Sequence, residues 1–452
     1  MKTIVVGSGG REHAIAWALA CSPDVSEVLC IPGNGGTAVE PKCTNVSANI
    51  HDIGAIVDAC TRELSGTAED SFVVIGPEDP LAAGLASRLI DAGIRVVGPS
   101  HNPATLEASK DTAKKFMKKH GVSCAQSETY TDMVDAIAAV HRINGPVVIK
   151  ADGLAGGKGV VVAPGPEVAI KAIQDFMATG TLGSAGRKVL IEEYLQGDEI
   201  SILAAVSVTP ESAAAGTATI KPFVPSRDHK RLRDGAQGPN TGGMGAIAPV
   251  PGLDASILEQ FRTDILEPTL AGLIAEKYDY RGFIFFGLML TPSGPKLLEY
   301  NVRLGDPETQ AVLPLMDFDF AHMCMAIIDG SLDSFDLRWK PGFVCSPVAV
   351  SRGYPLSYPK GLPIFINHDA VDKSGARIFF AGATNDNRSS NEGSPAGQLV
   401  TSGGRVLAVT AVGDTIDIAR KHAYQALKAV SFEGMFFRQD IGLPGAAVSG
   451  NL

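Results

Sequence analysis

The run Leu297-Leu298-Glu299-Tyr300-Asn301-Val302-Arg303-Leu304 spaces a carboxylate, an amide and a guanidinium two residues apart. Side chains alternate between faces along an extended strand, so Glu299, Asn301 and Arg303 share one face. A carboxylate beside an amide oxygen suits Mg2+ (or Mn2+), a hard cation that takes a few protein oxygens and completes its shell with water and phosphate. Arg303 on the same face can hold a carboxylate or phosphate through two parallel hydrogen bonds. The plainer reading is a polar stripe on a sheet surface. The neighbours Leu297, Leu298, Val302 and Leu304 are apolar enough to be buried, and buried polar groups need partners, which favours a site.

A second run, Val147-Val148-Ile149-Lys150-Ala151-Asp152-Gly153-Leu154-Ala155-Gly156-Gly157-Lys158-Gly159-Val160-Val161-Val162, points to phosphate. It fails the P-loop template, because Asp152 stands where the first Gly belongs and Gly159 replaces the Ser/Thr. It also joins two strand-like segments. A glycine hairpin with Lys158 at its tip can fold over phosphates while Lys150, leaving a strand, reaches the same oxygens from below. The competing reading is an ordinary glycine hairpin with a surface lysine. Four glycines and two lysines between Lys150 and Gly159 favour the phosphate reading.

Three further runs are weaker alone. Gly7-Ser8-Gly9-Gly10-Arg11-Glu12 follows a strand but lacks the third Gly of a dinucleotide fingerprint, and the second strand ends in Ile31-Pro32-Gly33 with no acid for a ribose. It leaves a glycine turn at a helix N-terminus, suited to an anion, with Arg11 beside it; a structural turn and a solvated Arg are the alternatives. Glu192-Glu193-Tyr194-Leu195-Gln196-Gly197-Asp198-Glu199 joins two strands, where a backbone edge can pair with adenine and a carboxylate with ribose hydroxyls, or where an acidic turn is merely solvated. The basic loop with Asp228 and Lys230, followed by Gly238-Pro239-Asn240-Thr241-Gly242-Gly243-Met244-Gly245, can cradle small polar substrates.

These residues need a frame. The first hundred residues alternate strand and helix: strands at Thr3–Val6, Val28–Ile31, Phe72–Ile75 and Arg95–Val97, helices at Glu12–Cys21, Ile53–Leu64 and Leu81–Ala92. That alternation predicts an open parallel α/β sheet whose C-terminal strand edges bind ligands. A helix over Ser109–His120 leads into an α+β unit, Cys124 to Glu193, and a mixed region to Gly330. The last section carries strands at Val344–Val350, Arg377–Phe380 and Arg405–Val412, a helix at Thr415–Val430, and a polar run, Asn385–Pro395, expected as a mobile hairpin loop.

A chain of 452 residues exceeds what one core supports, so about three domains are expected. The net charge of -10 argues against nucleic acid or an anionic membrane as partner, either of which would call for a basic face. Seven scattered cysteines form no CxxC pair and signal neither zinc nor a disulfide framework. The N-terminus lacks a signal-peptide layout, and the most apolar stretch, Gly282 to Leu290, is far shorter than the roughly 18 residues of a membrane span. A cytoplasmic protein, monomeric or weakly dimeric, is expected.

In order, GSGGREHA, VVIGPEDPL, VVIKADGLAGGKGVVVA, IEEYLQGDEIS, DHKR with GPNTGGMGA, LLEYNVRLGDPETQ and GGRVLAVTAVG span the chain almost end to end. Together they resemble the glycinamide ribonucleotide synthetase family of the ATP-grasp superfamily. The resemblance implies three parts: an N-terminal open parallel α/β (preATP-grasp) domain over 1–103, an ATP-grasp core over 104–330 with a small α+β lid inserted at 124–193, and a mixed α/β C-terminal domain over 331–452. It implies that Lys110 and Lys150 contact ATP phosphates, that Gly153, Gly156, Gly157, Lys158 and Gly159 close over them, that the backbone of Glu192, Glu193, Tyr194 and Leu195 reads adenine, and that Glu199 holds the ribose. Glu299 and Asn301 would bind the metal. Arg303, Asp228 and Lys230 would act at the reacting groups, and Gly9, Gly10, Arg11, Asn240, Thr241, Gly242 and Gly243 would contact substrates.

The implied reaction converts ATP, glycine and 5-phosphoribosylamine to ADP, phosphate and glycinamide ribonucleotide through glycyl phosphate, early in purine synthesis. Many ATP-grasp enzymes carry a further acidic ligand on the strand before Glu-x-Asn. Gly282–Leu290 carries none, which leaves a second metal with less support than the first. Three rival readings are another ATP-grasp ligase, a nicotinamide-dependent dehydrogenase and a non-catalytic nucleotide sensor. The basic-plus-glycine loop with Asp-Pro-Glu-Thr-Gln, the missing third Gly, and the joint presence of Glu299, Asn301 and Arg303 count against them in turn.

Overall fold

Continuous apolar runs form strands Lys2–Gly7, Glu27–Pro32 and Phe72–Ile75 at the centre of a five-stranded sheet in the computed structural model, which describes residues 1–67, 69–156, 159–178, 182–386 and 397–446. The strand order is Cys43–Asn45, Glu27–Pro32, Lys2–Gly7, Phe72–Ile75, Val96–Val97, and every pairing is parallel. Parallel neighbours need crossovers, and helices Gly10–Ala20 and Ile53–Leu64 supply two of them. The single helix expected over Leu81–Ala92 is instead two, Glu78–Ala82 and Leu85–Asp91. Gly84, with φ +81, turns the chain between them in a conformation that an L side chain resists.

The middle of the chain builds a four-stranded antiparallel sheet in the order Thr219–Pro222, Asp198–Val208, Tyr280–Thr291, Gly294–Asn301. Its apolar face shares one core with the N-terminal sheet: Ile4, Val73 and Leu89 pack in the same cluster as Ile202, Phe286 and Tyr300. Helix Lys110–His120 belongs to that core through Phe116 and Met117.

A second antiparallel sheet, Ser127–Tyr130, Val189–Glu193, Val147–Ala151, Val160–Ala163, carries helices Met133–Ile143 and Pro166–Ala178. It has a core of its own, built from Val140, Ile149, Ile173, Phe176 and Ile191. A separate core lets a small unit keep its shape while its position changes.

The last sheet crosses the chain's sections. Its order is Arg227–Asp228, Gly245–Ala248, Phe343–Val350, Arg405–Gly413, Arg377–Phe380, so two strands from the middle of the sequence join three C-terminal ones, Gly245–Ala248 pairing with Phe343–Val350. The segment from His229 to Met244 therefore lies where the central and C-terminal units meet. The polar run 385–395 lies outside the described residues from 387 onward. All seven cysteines are free, and among the described residues no helix is long and apolar enough to cross a membrane.

Candidate active site

Glu299 and Asn301 occupy the end of strand Gly294–Asn301, paired across the sheet with Gly287 and Phe285. Burial would raise the Glu299 carboxyl, but Lys230, Lys150, Lys110 and Arg303 outweigh it and hold the carboxyl below its ordinary value. Four cations from four separate segments thus face one carboxylate. An ionised carboxylate offers only acceptors, as a metal ligand must.

Asn301 is oriented by its neighbour: Arg303 Nη2 donates to Asn301 Oδ1 at 2.8 Å. A carbonyl oxygen has two lone pairs, so this bond leaves one for a cation. Two hard oxygens from one strand face fit the protein's share of Mg2+-type coordination. Among the described residues no cluster of three or more His, Cys, Asp or Glu could hold a metal on side chains of those types alone.

Arg303 is itself gripped. Its Nη2 lies 2.9 Å from Glu107 Oε1, its Nη1 donates to Leu304 O at 3.1 Å, and its Nε lies 3.5 Å from Glu78 Oε2. Arg11 reaches the same Glu78 from the N-terminal domain at 3.7 Å. Burial alone would raise the Glu78 carboxyl, yet Arg303 and Arg11 hold it down to about 2. A carboxyl whose folded value lies below its ordinary 4.5 adds stability above that range and loses it as pH falls toward 2. Urea midpoints measured from pH 6 to pH 3 should therefore fall less steeply in Glu78→Gln than in the parent. Equal slopes would remove Glu78 from the acid response.

On the side of the small antiparallel sheet, Lys150 leaves its strand buried, with Nζ 2.8 Å from Glu192 Oε2 and donating to Leu298 O at 3.3 Å. Burial opposes its charge, but Glu192 and Glu299 keep its pKa above the ordinary lysine value. Lys150 thus spans from the small sheet to the strand that carries Glu299. Lys110 Nζ donates to Gly153 O at 3.0 Å, and Gly159 O accepts from Ala151 N at 2.8 Å, closing the base of the hairpin. Gly156 precedes the hairpin tip; Gly157 and Lys158 lie outside the described residues. The strand holding Glu192 and Glu193 ends at Glu193, so Tyr194 and Leu195 leave the sheet there.

On the side of the basic loop, Glu199 and Lys230, read separately from sequence as ribose and substrate groups, form an ion pair with each other. Burial works against the Lys230 charge, but Glu199, Glu299 and Asp228 raise its pKa. Asp228 is pushed well above the carboxylate range by burial and then by the charge of Glu308; its Oδ1 is buried without a hydrogen-bond partner. Glu308, raised chiefly by burial, accepts from Ser201 Oγ at 3.0 Å. Asn240 is exposed at a strand end, and Thr241 Oγ1 donates to Lys230 O and accepts from Gly243 N, tying the glycine loop to the basic loop. Gly243 has φ +113, and a Cβ there would stand 2.4 Å from Pro307 and 2.6 Å from Asp228, so a side chain cannot enter. Gly242 is held from the C-terminal sheet: its N–H donates to Tyr354 OH at 2.9 Å and its carbonyl accepts from Arg405.

The N-terminal glycine turn packs against this same region, Gly10 lying beside Gln310 and Gly9 beside Asp306. The Gly9 amide, a sequence candidate for anion binding, donates to Glu12 Oε2 at 2.6 Å, and Arg11 is buried with Nε 2.5 Å from Glu12 Oε1. An internal carboxylate therefore already fills the cradle that the turn offers.

Several groups at the site carry no role in the sequence reading, although all but Glu107 lie within the motifs that carry the resemblance. Glu78, Glu107, Asp306, Glu308 and Arg405 surround it, from segments far apart in sequence. Asp306 is the junction: burial would raise its carboxyl, but Arg405 and Arg11, from opposite ends of the chain, lower it. Glu78 in Gly-Pro-Glu and Arg405 in Gly-Gly-Arg follow turn glycines, a local signal that marks a strand end without assigning the side chain a role.

Models of the phosphoribosylglycinamide synthetase N domain, ATP-grasp (A) domain and C domain match residues 1–107, 108–309 and 344–444. A phosphoribosylamine–glycine ligase of Clostridium acetobutylicum is 43% identical over 442 residues, covering 98% of this chain and 99% of that protein. The crystal structure of phosphoribosylamine–glycine ligase from Thermotoga maritima superposes with a TM-score of 0.81 at 34% identity, over 98% of this chain and 100% of that one. The biotin carboxylase domain of Hydrogenobacter thermophilus 2-oxoglutarate carboxylase, solved with MgADP, ADP and bicarbonate, has a TM-score of 0.70 at 17% identity over 96% and 91% of the two chains, a likeness of fold.

Proposed function

The chain belongs to the phosphoribosylglycinamide synthetase family, and from that premise we propose how its residues act as a phosphoribosylamine–glycine ligase. The reaction joins glycine to 5-phosphoribosylamine, converts ATP to ADP and phosphate, and serves purine biosynthesis; it is that of an ATP-dependent ligase acting on small molecules. The observation that carries the residue reading is the convergence of Lys110, Lys150, Lys230 and Arg303 on Glu299.

A glycine carboxylate is a weak nucleophile that approaches an anionic γ-phosphate, so the site has to cancel charge and fix geometry. Lys110 and Lys150 meet the phosphates, exchanging Gly153 O and Glu192 for phosphate oxygens. The loop Gly153 to Gly159 closes over them, and the Glu192–Leu195 backbone faces adenine with Glu199 near the ribose. Glu299 and Asn301 would hold a divalent cation, Mg2+ or Mn2+, which would neutralise phosphate charge when bound. Arg303, on the same face, steadies the glycine carboxylate.

The glycine oxygen attacks the γ-phosphorus, ADP leaves, and the glycyl phosphate is kept from water by the lid. The neutral amine of phosphoribosylamine then attacks the acyl carbon, phosphate departs, and the nitrogen loses a proton. Asp228, whose buried Oδ1 has no hydrogen-bond partner, takes it, and Lys230 balances the charge. Asn240, Thr241, Gly242 and Gly243 line the side from which the sugar phosphate enters, and Gly9, Gly10 and Arg11, whose anion cradle Glu12 already occupies, back that side against Asp306 and Gln310.

The division that accompanies this reading is 1–103, 104–330 with a lid at 124–193, and 331–452. A cytoplasmic monomer or weak homodimer without nucleic-acid or membrane partners fits a chain of net charge -10. ADP release should require glycine and phosphoribosylamine together. Replacement of glycine by bicarbonate or another amino acid without loss of rate would refute the reading.

A further inference from the structure

No step of glycine activation calls on Asp152, Lys188 or Asp111, yet the three meet at the root of the phosphate loop. Asp152 Oδ1 accepts from Ser109 Oγ at 2.9 Å and from Asp111 N at 3.2 Å, capping the first turn of the core helix Lys110–His120. Lys188, just before the lid strand Val189–Glu193, lies 3.2 Å from both Asp152 Oδ2 and Asp111 Oδ2. The backbone repeats the link, with Asp152 N donating to Lys188 O at 3.1 Å. Asp111 Oδ1 accepts from Thr129 Oγ1, at 2.9 Å, on a second lid strand.

The next residue begins the loop. Gly153 has φ +147, and a Cβ there would stand 2.7 Å from Ala185 Cβ, so the chain leaves Asp152 along one narrow path. The Gly153 carbonyl accepts from Lys110, so the loop's first peptide and a phosphate-facing ammonium are already in contact. A shift of Asp152 would move both.

We propose that Asp152 and Lys188 are positioning residues for the ATP phosphates, setting the height of the Gly153–Gly159 loop by anchoring its root to the N-terminus of the core helix. The inference rests on the placement of ATP under that loop. The alternative is a brace that only stabilises the lid. The lid's apolar core stands without these three residues. Lys188 is also half exposed, with a side-chain accessibility of 40%, so its removal leaves the packing untouched.

The test compares Asp152→Ala, Lys188→Met and Lys188→Arg in the full chain. Losing a hydrogen bond to a charged partner removes about 1.5–3 kcal/mol, so KM for ATP should rise about tenfold or more in the first two variants. KM for glycine and for phosphoribosylamine should stay within about twofold, because Asp152 and Lys188 bond none of the groups proposed for them, Arg303, Asp228, Lys230 and Asn240 to Gly243. Lys188→Arg keeps charge and donors and should return KM for ATP to near the parent value.

An unchanged KM for ATP in Lys188→Met, a parallel rise in all three KM values, or no rescue by arginine would overturn the proposal. Should Asp152→Ala fail to fold, the lysine pair decides alone. Equilibrium ATP binding by the same proteins separates this inference from the reaction it builds on. Parent protein that binds ATP but does not couple ADP release to glycine and phosphoribosylamine would sink the reaction, while weaker ATP binding in Lys188→Met would still support the anchor.

Discussion

Glu299→Ala should lower turnover by at least about a thousandfold, because losing even an outer partner of a metal ligand costs about 10- to 100-fold and this change removes the ligand itself. The direction follows from the charges around it. Burial works to neutralise the Glu299 carboxyl, and Lys230, Lys150, Lys110 and Arg303 together prevent that. The residue therefore meets a cation already ionised, with no proton to shed.

The same surroundings predict a split between binding and turnover. In the variant four cations lose a shared counterion, and ATP phosphates can replace it. Metal-free ATP should bind Glu299→Ala at least as tightly as it binds the parent, while the concentration of Mg2+ needed for activity rises beyond reach. Glu299→Gln, which keeps shape without charge, should behave alike. The backbone pairing of residue 299 with Gly287 does not depend on the side chain, so the variant should fold. Unimpaired turnover in folded Glu299→Ala would contradict the metal assignment.

What could be read from sequence follows the range of the interactions involved. Phe72–Ile75, Arg377–Phe380 and Ile53–Leu64 match their readings residue for residue, since an apolar run or a helical period is complete within itself. The break at Gly84 is hidden because apolar spacing continues across it while the backbone does not. The strand pairs Gly245–Ala248 with Phe343–Val350 join segments about a hundred residues apart, and no local pattern specifies that register.

The candidate site divides the same way. Glu299, Asn301 and Arg303 are legible together because strand alternation alone puts them on one face. Glu107 draws no reading from sequence, yet its carboxylate is buried against Arg303 and bonded to Val302 N at 2.7 Å. Arg405 and Asp306 acquire meaning only once the C-terminal sheet closes onto the Asp-Pro-Glu-Thr-Gln turn. Lys230 and Glu199 were each legible as site groups, but their mutual pairing depends on how the basic loop returns to the central sheet.

Arg303→Met should destabilise the protein by about 3–5 kcal/mol, the usual consequence of stranding a buried charge by removing its partner. Glu107 decides the size: its side chain is only 7% accessible, and burial already raises its carboxyl pKa while Arg303 works in the opposite direction. Without the guanidinium that pKa climbs further. A carboxyl with a folded value above its unfolded one opposes folding at neutral pH; the penalty shrinks as pH falls through the folded value and is gone below the unfolded one. The stability deficit of Arg303→Met should accordingly be largest near pH 7 and shrink toward pH 4, as read from urea midpoints.

Adding Glu107→Gln to Arg303→Met should recover much of the loss, since glutamine removes the stranded charge and keeps an oxygen for the Val302 amide. Activity should not recover with it, because Asn301 has still lost the donor that orients its Oδ1. A double variant no more stable than the single one would show that the Arg303–Glu107 pair is not what the fold loses. A double variant with restored turnover would separate Arg303 from the chemistry at Asn301.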